Sequence, residues 1–197
     1  MTDWASLRYA VVDVEGNGQQ PPDLVELATV PVVGGVIGEP VSWLVKPDTR
    51  IKHMATRIHG LSNEDVAGAP AFAEIEDEII GALDGAVLVA HNAHVDVDVI
   101  CRKLPGWECP EVFDTLKLAR RLLPGQASYR LGALVEAFKL DDGLPDDLTP
   151  HRATYDALVT ARLFVQLATV SDAGPLSLEE LRGDSLRGGE GETPALF

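Results

Sequence analysis

The chain has 197 residues, 46% of them hydrophobic and 24% charged, enough for one α/β domain with a single substantial core. A formal net charge of −15 excludes a broad basic surface that holds nucleic acid by phosphate neutralisation alone, so any such contact has to be local and metal-assisted. No apolar run approaches the roughly 20 residues that span a bilayer, Met1-Thr2-Asp3-Trp4 lacks a signal-peptide pattern, and Cys101 and Cys109 fall in no metal-ligand spacing, so a cytoplasmic protein without membrane contact, disulfide framework or zinc site is expected.

Residues 8–14 (RYAVVDV) read as a buried strand closed by the Gly16-Asn17-Gly18 turn, and 24–33 and 36–45, joined by Gly34-Gly35, complete a three-stranded meander. Phe72, Ile75, Ile79 and Leu83 stand at helical spacing over 71–83. The wholly apolar 86–90 (AVLVA) suits the middle of a sheet, and a helix follows from about 93 to 103. Asp114 precedes a helix over 115–122 that Pro124-Gly125 stops, and 129–138 is another. The acidic loop 141–150 leads through Pro150 to a long helix over 152–169, with Ala153, Ala157, Leu158, Ala161, Phe164, Val165 and Ala168 as its apolar stripe. This order predicts a central mixed sheet with helices on its faces and a site at the edge of the first strand. From 171 to 197 the composition shifts to Gly, Glu and Ser, so a mostly mobile tail with one helical turn at 176–182 is expected behind a domain of residues 1–170. Both cysteines are expected to be buried or half-buried.

Three segments carry the chemistry. In Val12-Asp13-Val14-Glu15, alternate residues of a strand face the same way, so Asp13 and Glu15 project two carboxylates from one face. They stand in an apolar run where unpaired carboxylates are costly, and a divalent cation removes that cost. Oxygen ligands of this kind suit Mg²⁺ or Mn²⁺, and two such ions would clamp the attacking and leaving oxygens of a displacement at phosphorus. In His91-Asn92-Ala93-His94-Val95-Asp96 the chain leaves a central strand for a helix, which can return Asp96 to the sheet edge. There Asn92 can cap the helix, Val95 and Val97 read as core contacts, and Asp98 as solvated. In His151-Arg152-Ala153-Thr154-Tyr155-Asp156, a five-residue separation puts His151 about 140° from Asp156 on a continuous helix. The spacing makes better sense with His151 in the preceding loop or first turn, hanging over the site as a proton acceptor, and Asp156 pointing in from the helix. Arg50-Ile51-Lys52-His53 and Lys117 to Arg121 are basic patches open to either phosphate binding or plain solvation.

Taken together, these segments resemble the DEDDh 3′-to-5′ exonucleases over roughly residues 8–170. The order of Trp43-Leu44-Val45-Lys46-Pro47, Ile58-His59-Gly60-Leu61, Val89-Ala90-His91-Asn92 and Leu116 to Leu122 before Pro124-Gly125 looks most like the exodeoxyribonuclease X branch. The resemblance implies a ribonuclease H-like α/β fold with a central mixed five-stranded sheet. It implies that Asp13, Glu15 and Asp156 hold one ion, that Asp13 and Asp96 hold a second, and that His151 is the general base. Gly16, Asn17, Gly18, Gln19, His59, His91 and Asn92 would meet the substrate. The sister group carries tyrosine four residues before the last aspartate, where this chain has Arg152. Two departures stand out. Gly16-Asn17-Gly18-Gln19 replaces the usual Thr-Thr-Gly and apolar wedge, which puts fraying of duplex ends in question, and Val95 replaces a phenylalanine. The implied activity is release of nucleoside 5′-monophosphates from DNA, the partner being a nucleic acid with a free 3′ end. The alternatives are an exoribonuclease, a small-nucleotide hydrolase or a noncatalytic binding subunit. A homodimer or a polymerase or repair partner is compatible with the same reading.

Overall fold

The computed structural model describes residues 3–169 and 174–183. A 3₁₀ turn at Trp4–Ser6 leads into β1 (Arg8–Gly16), β2 (Leu24–Val33), β3 (Val36–Ile37) and β4 (Val41–Leu44). Helices α1 (His53–His59) and α2 (Phe72–Leu83) follow, then β5 (Val87–Ala90), α3 (His94–Lys103), β6 (Val112–Asp114), α4 (Thr115–Leu122), α5 (Leu131–Phe138), α6 (Ala153–Thr169) and α7 (Leu178–Arg182). The strands form one mixed sheet in the order β3-β2-β1-β5-β6, with β4 also on β2. The antiparallel part is β1 to β4, while β5 and β6 run parallel to β1. The expected third strand of 36–45 divides at Gly38-Glu39-Pro40, since Pro40 has no N–H to give a ladder. Counted as one segment, the sheet has the five strands expected.

Alternation along β1 sorts the core onto two faces. Tyr9 and Val11 join the residues of α4 to α7, whereas Ala10 and Val12 join Ile75, Ile79 and Leu83 of α2 and Val99 and Ile100 of α3. Continued by two and four residues, the first face places Asp13 and Glu15 toward α6. Glu26 on β2 shares that face with Ala28 and Val30. An aromatic cluster seals the other end of this layer, with the Tyr9 and Phe164 rings 4.8 Å apart and Trp4 edge-on to Phe164 at 5.8 Å.

Several local expectations change. β6 is three residues long, too short to show alternation, and pairs with β5 from Leu88↔Val112 to Ala90↔Asp114. Helix α1 has no apolar stripe to announce it, because its Met54 and Ile58 face outward; Gly60, at φ 80°, ends it. Val95 is 42% exposed rather than in the core. Neighbouring helix positions lie about 100° apart, and the first turn of α3 gives its inward direction to Asp96. Cys109 is exposed and Cys101 half-buried.

Of the expected tail, residues 171–173 and 184–197 lie outside the described residues. The helical turn is α7, where Ser177 and Glu180 form a reciprocal capping box, and Arg121 donates to the carbonyls of Glu180 and Leu181 at 2.8 Å. Leu178 and Leu181 are buried in the α6 layer. No helix among the described residues is long and apolar enough to cross a membrane. Truncating Leu181 to alanine should therefore cost about 2–5 kcal/mol, read as a lower urea midpoint at unchanged slope. An unmoved midpoint would mean that α7 adds nothing to the core.

Candidate active site

The pairing of β5 with β1 runs from Tyr9↔Val87 to Val11↔Val89 and stops there. The last five residues of β1, Val12 to Gly16, therefore run past β5 on that side, and a side chain takes over from the strand. Asp96, on the first turn of α3, accepts the Val14 N–H at 3.0 Å through Oδ1. That bond settles where Asp96 goes: it is 6% exposed and lies against the carboxylates of β1. From the opposite side, Asp156 reaches in from the first turn of α6. One oxygen each of Asp13, Glu15 and Asp156 lie within 4.8 Å of one another. Asp96 stands beside this trio, one oxygen committed to Val14.

Packing so many carboxylates together has an electrostatic signature. Asp13 is pushed well above the usual carboxylate range by burial, then by the charges of Asp96, Asp156, Glu15 and Glu26. Glu15 rises to about 8 through burial and then Asp156 and Glu26, with Arg152 pulling the other way. Asp96 rises to about 7 through burial, opposed by its bond from Val14. Asp156 rises to about 6 through burial, opposed by the adjoining His151. Three half-buried oxygen donors within reach of one point, held against their own repulsion, fit a divalent cation.

His151 sits before α6 with φ 62°, a left-handed conformation that turns the chain sharply between Pro150 and the helix. The expected five-residue problem is solved by that turn. His151 is exposed and, with Tyr155 and Asp156, borders a cavity of about 240 Å³. Among the described residues its ring has no hydrogen-bond partner.

The residues expected to meet substrate divide. Gly18 is exposed and Gly16 and Gln19 are half-buried, the Gln19 amide donating to the Arg50 carbonyl at 3.2 Å; Gly18 (φ 76°) is backed by α1, since a Cβ there would meet Ala55 at 3.1 Å. Asn17 does not project into the cleft. It is fully buried, its amide donating to Thr49 Oγ1 at 2.8 Å and its oxygen accepting from the N–H groups of Gln19 and Asp23. His59 is likewise turned inward: it is 4% exposed, Nδ1 accepts from Leu61 and Nε2 donates to the Gly16 carbonyl at 3.2 Å. Burial holds its pKa below the usual range, so the neutral ring shapes the loop after Glu15. His91 also spends both nitrogens, on the Thr115 hydroxyl at 2.9 Å and the Tyr129 carbonyl at 3.0 Å. Asn92 is not the cap of α3, whose first flanking residue is Ala93 with no side-chain bond. Its side chain is free to face a ligand, in an open groove of about 620 Å³ that Arg120 and Arg130 also line. Arg121, by contrast, is occupied by α7.

Three residues escaped the sequence reading. Asp114 accepts from the N–H groups of Asn92 (3.0 Å) and Leu116 (2.9 Å), tying the His91-Asn92 turn to α4. Buried Glu26 and half-buried Arg152 form a bidentate pair next to the trio, with contacts of 3.0 and 2.7 Å. Only Asp114 left a sequence signal, as the residue preceding a helix.

This geometry agrees with the comparisons. The family model described as "Exonuclease" matches residues 10–164. Exodeoxyribonuclease 10 of Escherichia coli (strain K12) is 40% identical over 162 residues, spanning 82% of this chain and 69% of that protein. The 3′-5′ exonuclease DinG of Bacillus subtilis (strain 168) is 34% identical over 167 residues, but the chain covers only 17% of its length. A solved structure of exonuclease X in complex with 5′ overhanging duplex DNA superimposes with a TM-score of 0.68 at 38% identity, covering 81% of this chain and 90% of that one. The chain belongs to the exonuclease family, as a ribonuclease H-like 3′-to-5′ enzyme of the DEDDh branch. Its resemblance to exodeoxyribonuclease X holds in sequence and in structure alike.

The raised carboxylates make a stability prediction with a definite sign. A folded-state pKa above the ordinary value of about 4 means that the folded chain keeps protons the unfolded chain has released. That stability is complete below about pH 4 and is lost as pH rises through 6 to 8, the values of Asp156 and Glu15. In chelator, the thermal midpoint should fall over this range; added Mg²⁺ should raise it, and more at the alkaline end, where ions no longer compete with protons. A metal effect independent of pH would argue against these carboxylates as the ligands.

Proposed function

We propose that the chain is a Mg²⁺- or Mn²⁺-dependent exonuclease that removes nucleoside 5′-monophosphates one at a time from the free 3′ end of DNA. The observation that carries this reading is the trio of Asp13, Glu15 and Asp156, with ligand oxygens within 4.8 Å, and Asp96 braced beside it by Val14. Asp13, Glu15 and Asp156 would hold one ion, and Asp13 with Asp96 the other. Bound there, the ions supply charge neutralisation at the scissile phosphate and activation of the attacking water. His151, exposed and unengaged at the rim, accepts the proton which that water loses.

Substrate handling follows from the walls of the cleft. Gly18 and Gln19 offer backbone and a short polar side chain where a bulky wedge would stand, which favours single strands or already frayed ends over closed duplex. Asn92 and the exposed Arg120 and Arg130 line a groove and supply local positive charge to an otherwise acidic protein. The choice of DNA is supported by the similarity to exodeoxyribonuclease 10 and to exonuclease X, the latter solved with DNA.

A 5′-labelled single-stranded oligonucleotide tests the reading. The parent should produce a chelator-sensitive ladder shortening from the 3′ end, and Asp13→Asn or Asp156→Asn should slow it by about 10³-fold or more, since the ions they hold are worth several kcal/mol to the transition state. Ladders of equal rate from parent and Asp13→Asn would sink the mechanism. Faster trimming of the matched RNA would move the substrate to the ribonucleotide class, where contacts to the 2′-hydroxyl decide.

A further inference from the structure

The position four residues before Asp156 is filled by an arginine, and its guanidinium does not face the carboxylate trio. Arg152 turns to β2, where Nε donates to Glu26 Oε2 at 3.0 Å and a terminal nitrogen donates to Oε1 at 2.7 Å. Glu26 takes a third bond, from the Ala153 N–H at 3.1 Å. Its side chain is 5% exposed against 40% for Arg152, so the pair is anchored from inside the protein. Glu26 is also the direct cross-strand partner of Glu15. Opposed carboxylates on paired strands repel, and the guanidinium of Arg152, hydrogen-bonded to Glu26 and close enough to pull the Glu15 pKa down, offsets part of that repulsion.

The same pair bears on His151. That residue occupies a left-handed backbone region that a side chain bearing a Cβ adopts only when its neighbours impose it. Its two flanks are both tied down. On one side His151 lies against Asp156, with which it interacts electrostatically, and on the other Glu26 grips the Arg152 fork and the Ala153 N–H. The ring itself makes no hydrogen bond among the described residues, so its direction depends chiefly on this backbone.

We infer that Glu26 and Arg152 are positioning residues: their fork fixes the left-handed turn at His151 and thereby aims an otherwise unrestrained imidazole at the reacting water. The inference rests on the reading of His151 as the general base. It assigns to Glu26, a buried carboxylate in a strand core, a role in the reaction without contact to metal or substrate.

A double-mutant cycle distinguishes aiming from general support. With saturating Mg²⁺ and a labelled single strand, Glu26→Gln should lower kcat by about 10- to 100-fold, the cost of a misplaced catalytic group, while KM stays within about twofold. In a His151→Ala background the same substitution should change the residual kcat by less than about twofold, because there is no ring left to aim. Arg152→Lys keeps the charge and loses the fork, and it should show the same pattern more weakly. It also carries the test if Glu26→Gln fails to fold. Equal losses in both backgrounds, or full rate with lysine at position 152, would overturn the role. If His151→Ala alone keeps the parental rate, the general-base assignment fails and the positioning role with it. Continued dependence on Asp13 would in that case leave the metal-dependent exonuclease standing.

Discussion

Uncompensated negative charge at the end of one strand is the constraint on which this structure depends. Asp13, Glu15, Glu26, Asp96 and Asp156 converge there, and Arg152 is bonded to Glu26 alone. A folded protein tolerates such a cluster only if protons or cations occupy it, since each buried carboxylate raises the others. Everything around the cluster keeps it from relaxing. The apolar residues of β1 hold its first part rigid, Val14 fixes Asp96, and the long α6 presents Asp156 from a fully packed helix. The resulting stress is what a divalent cation relieves, so affinity for the ion and the folding of this edge are one problem.

The sheet topology decides why this edge and no other. Parallel β5 ends short of β1, which leaves the last residues of β1 free for a side chain from α3 and a carboxylate from α6 to meet them. The antiparallel partner β2 supplies Glu26 on the same face, opposite Glu15. Around this edge the loops divide the work. The buried side chains of Asn17 and His59 and the half-buried ones of His91 and Asp114 hold backbone in place, while Gly18 and His151 are exposed and Asn92 is half-buried with its side chain unengaged.

That division explains what could be read in advance. Asp13 and Glu15 were legible because a charged pair at strand spacing inside an apolar run has few explanations. Asp96, His151 and Asp156 were legible as partners only through their order and intervals. The roles of His59 and Asn17 were not, because a polar residue in a loop motif looks the same whether it touches a ligand or braces the loop. Burial separates the two cases, and burial of a loop residue depends on what packs over it: for Asn17 the Thr49 segment, and for His59 the carbonyl of Gly16. Val95 illustrates the converse, an apolar side chain left outside because its neighbour Asp96 claimed the inward direction.

From the sequence alone come the α/β class, the helices with strong apolar stripes, and the set of acidic residues that defines the chemistry. These depend on short-range periodicity and on the cost of burying charge, both of which are local properties of the chain. Tertiary structure decided the rest: the three-residue β6, the stripe-free α1, the docking of α7, the left-handed turn at His151 and the Glu26–Arg152 fork across 126 positions. Such features arise from pairings between distant segments. Their free energy lies in contacts that no window of neighbouring residues contains.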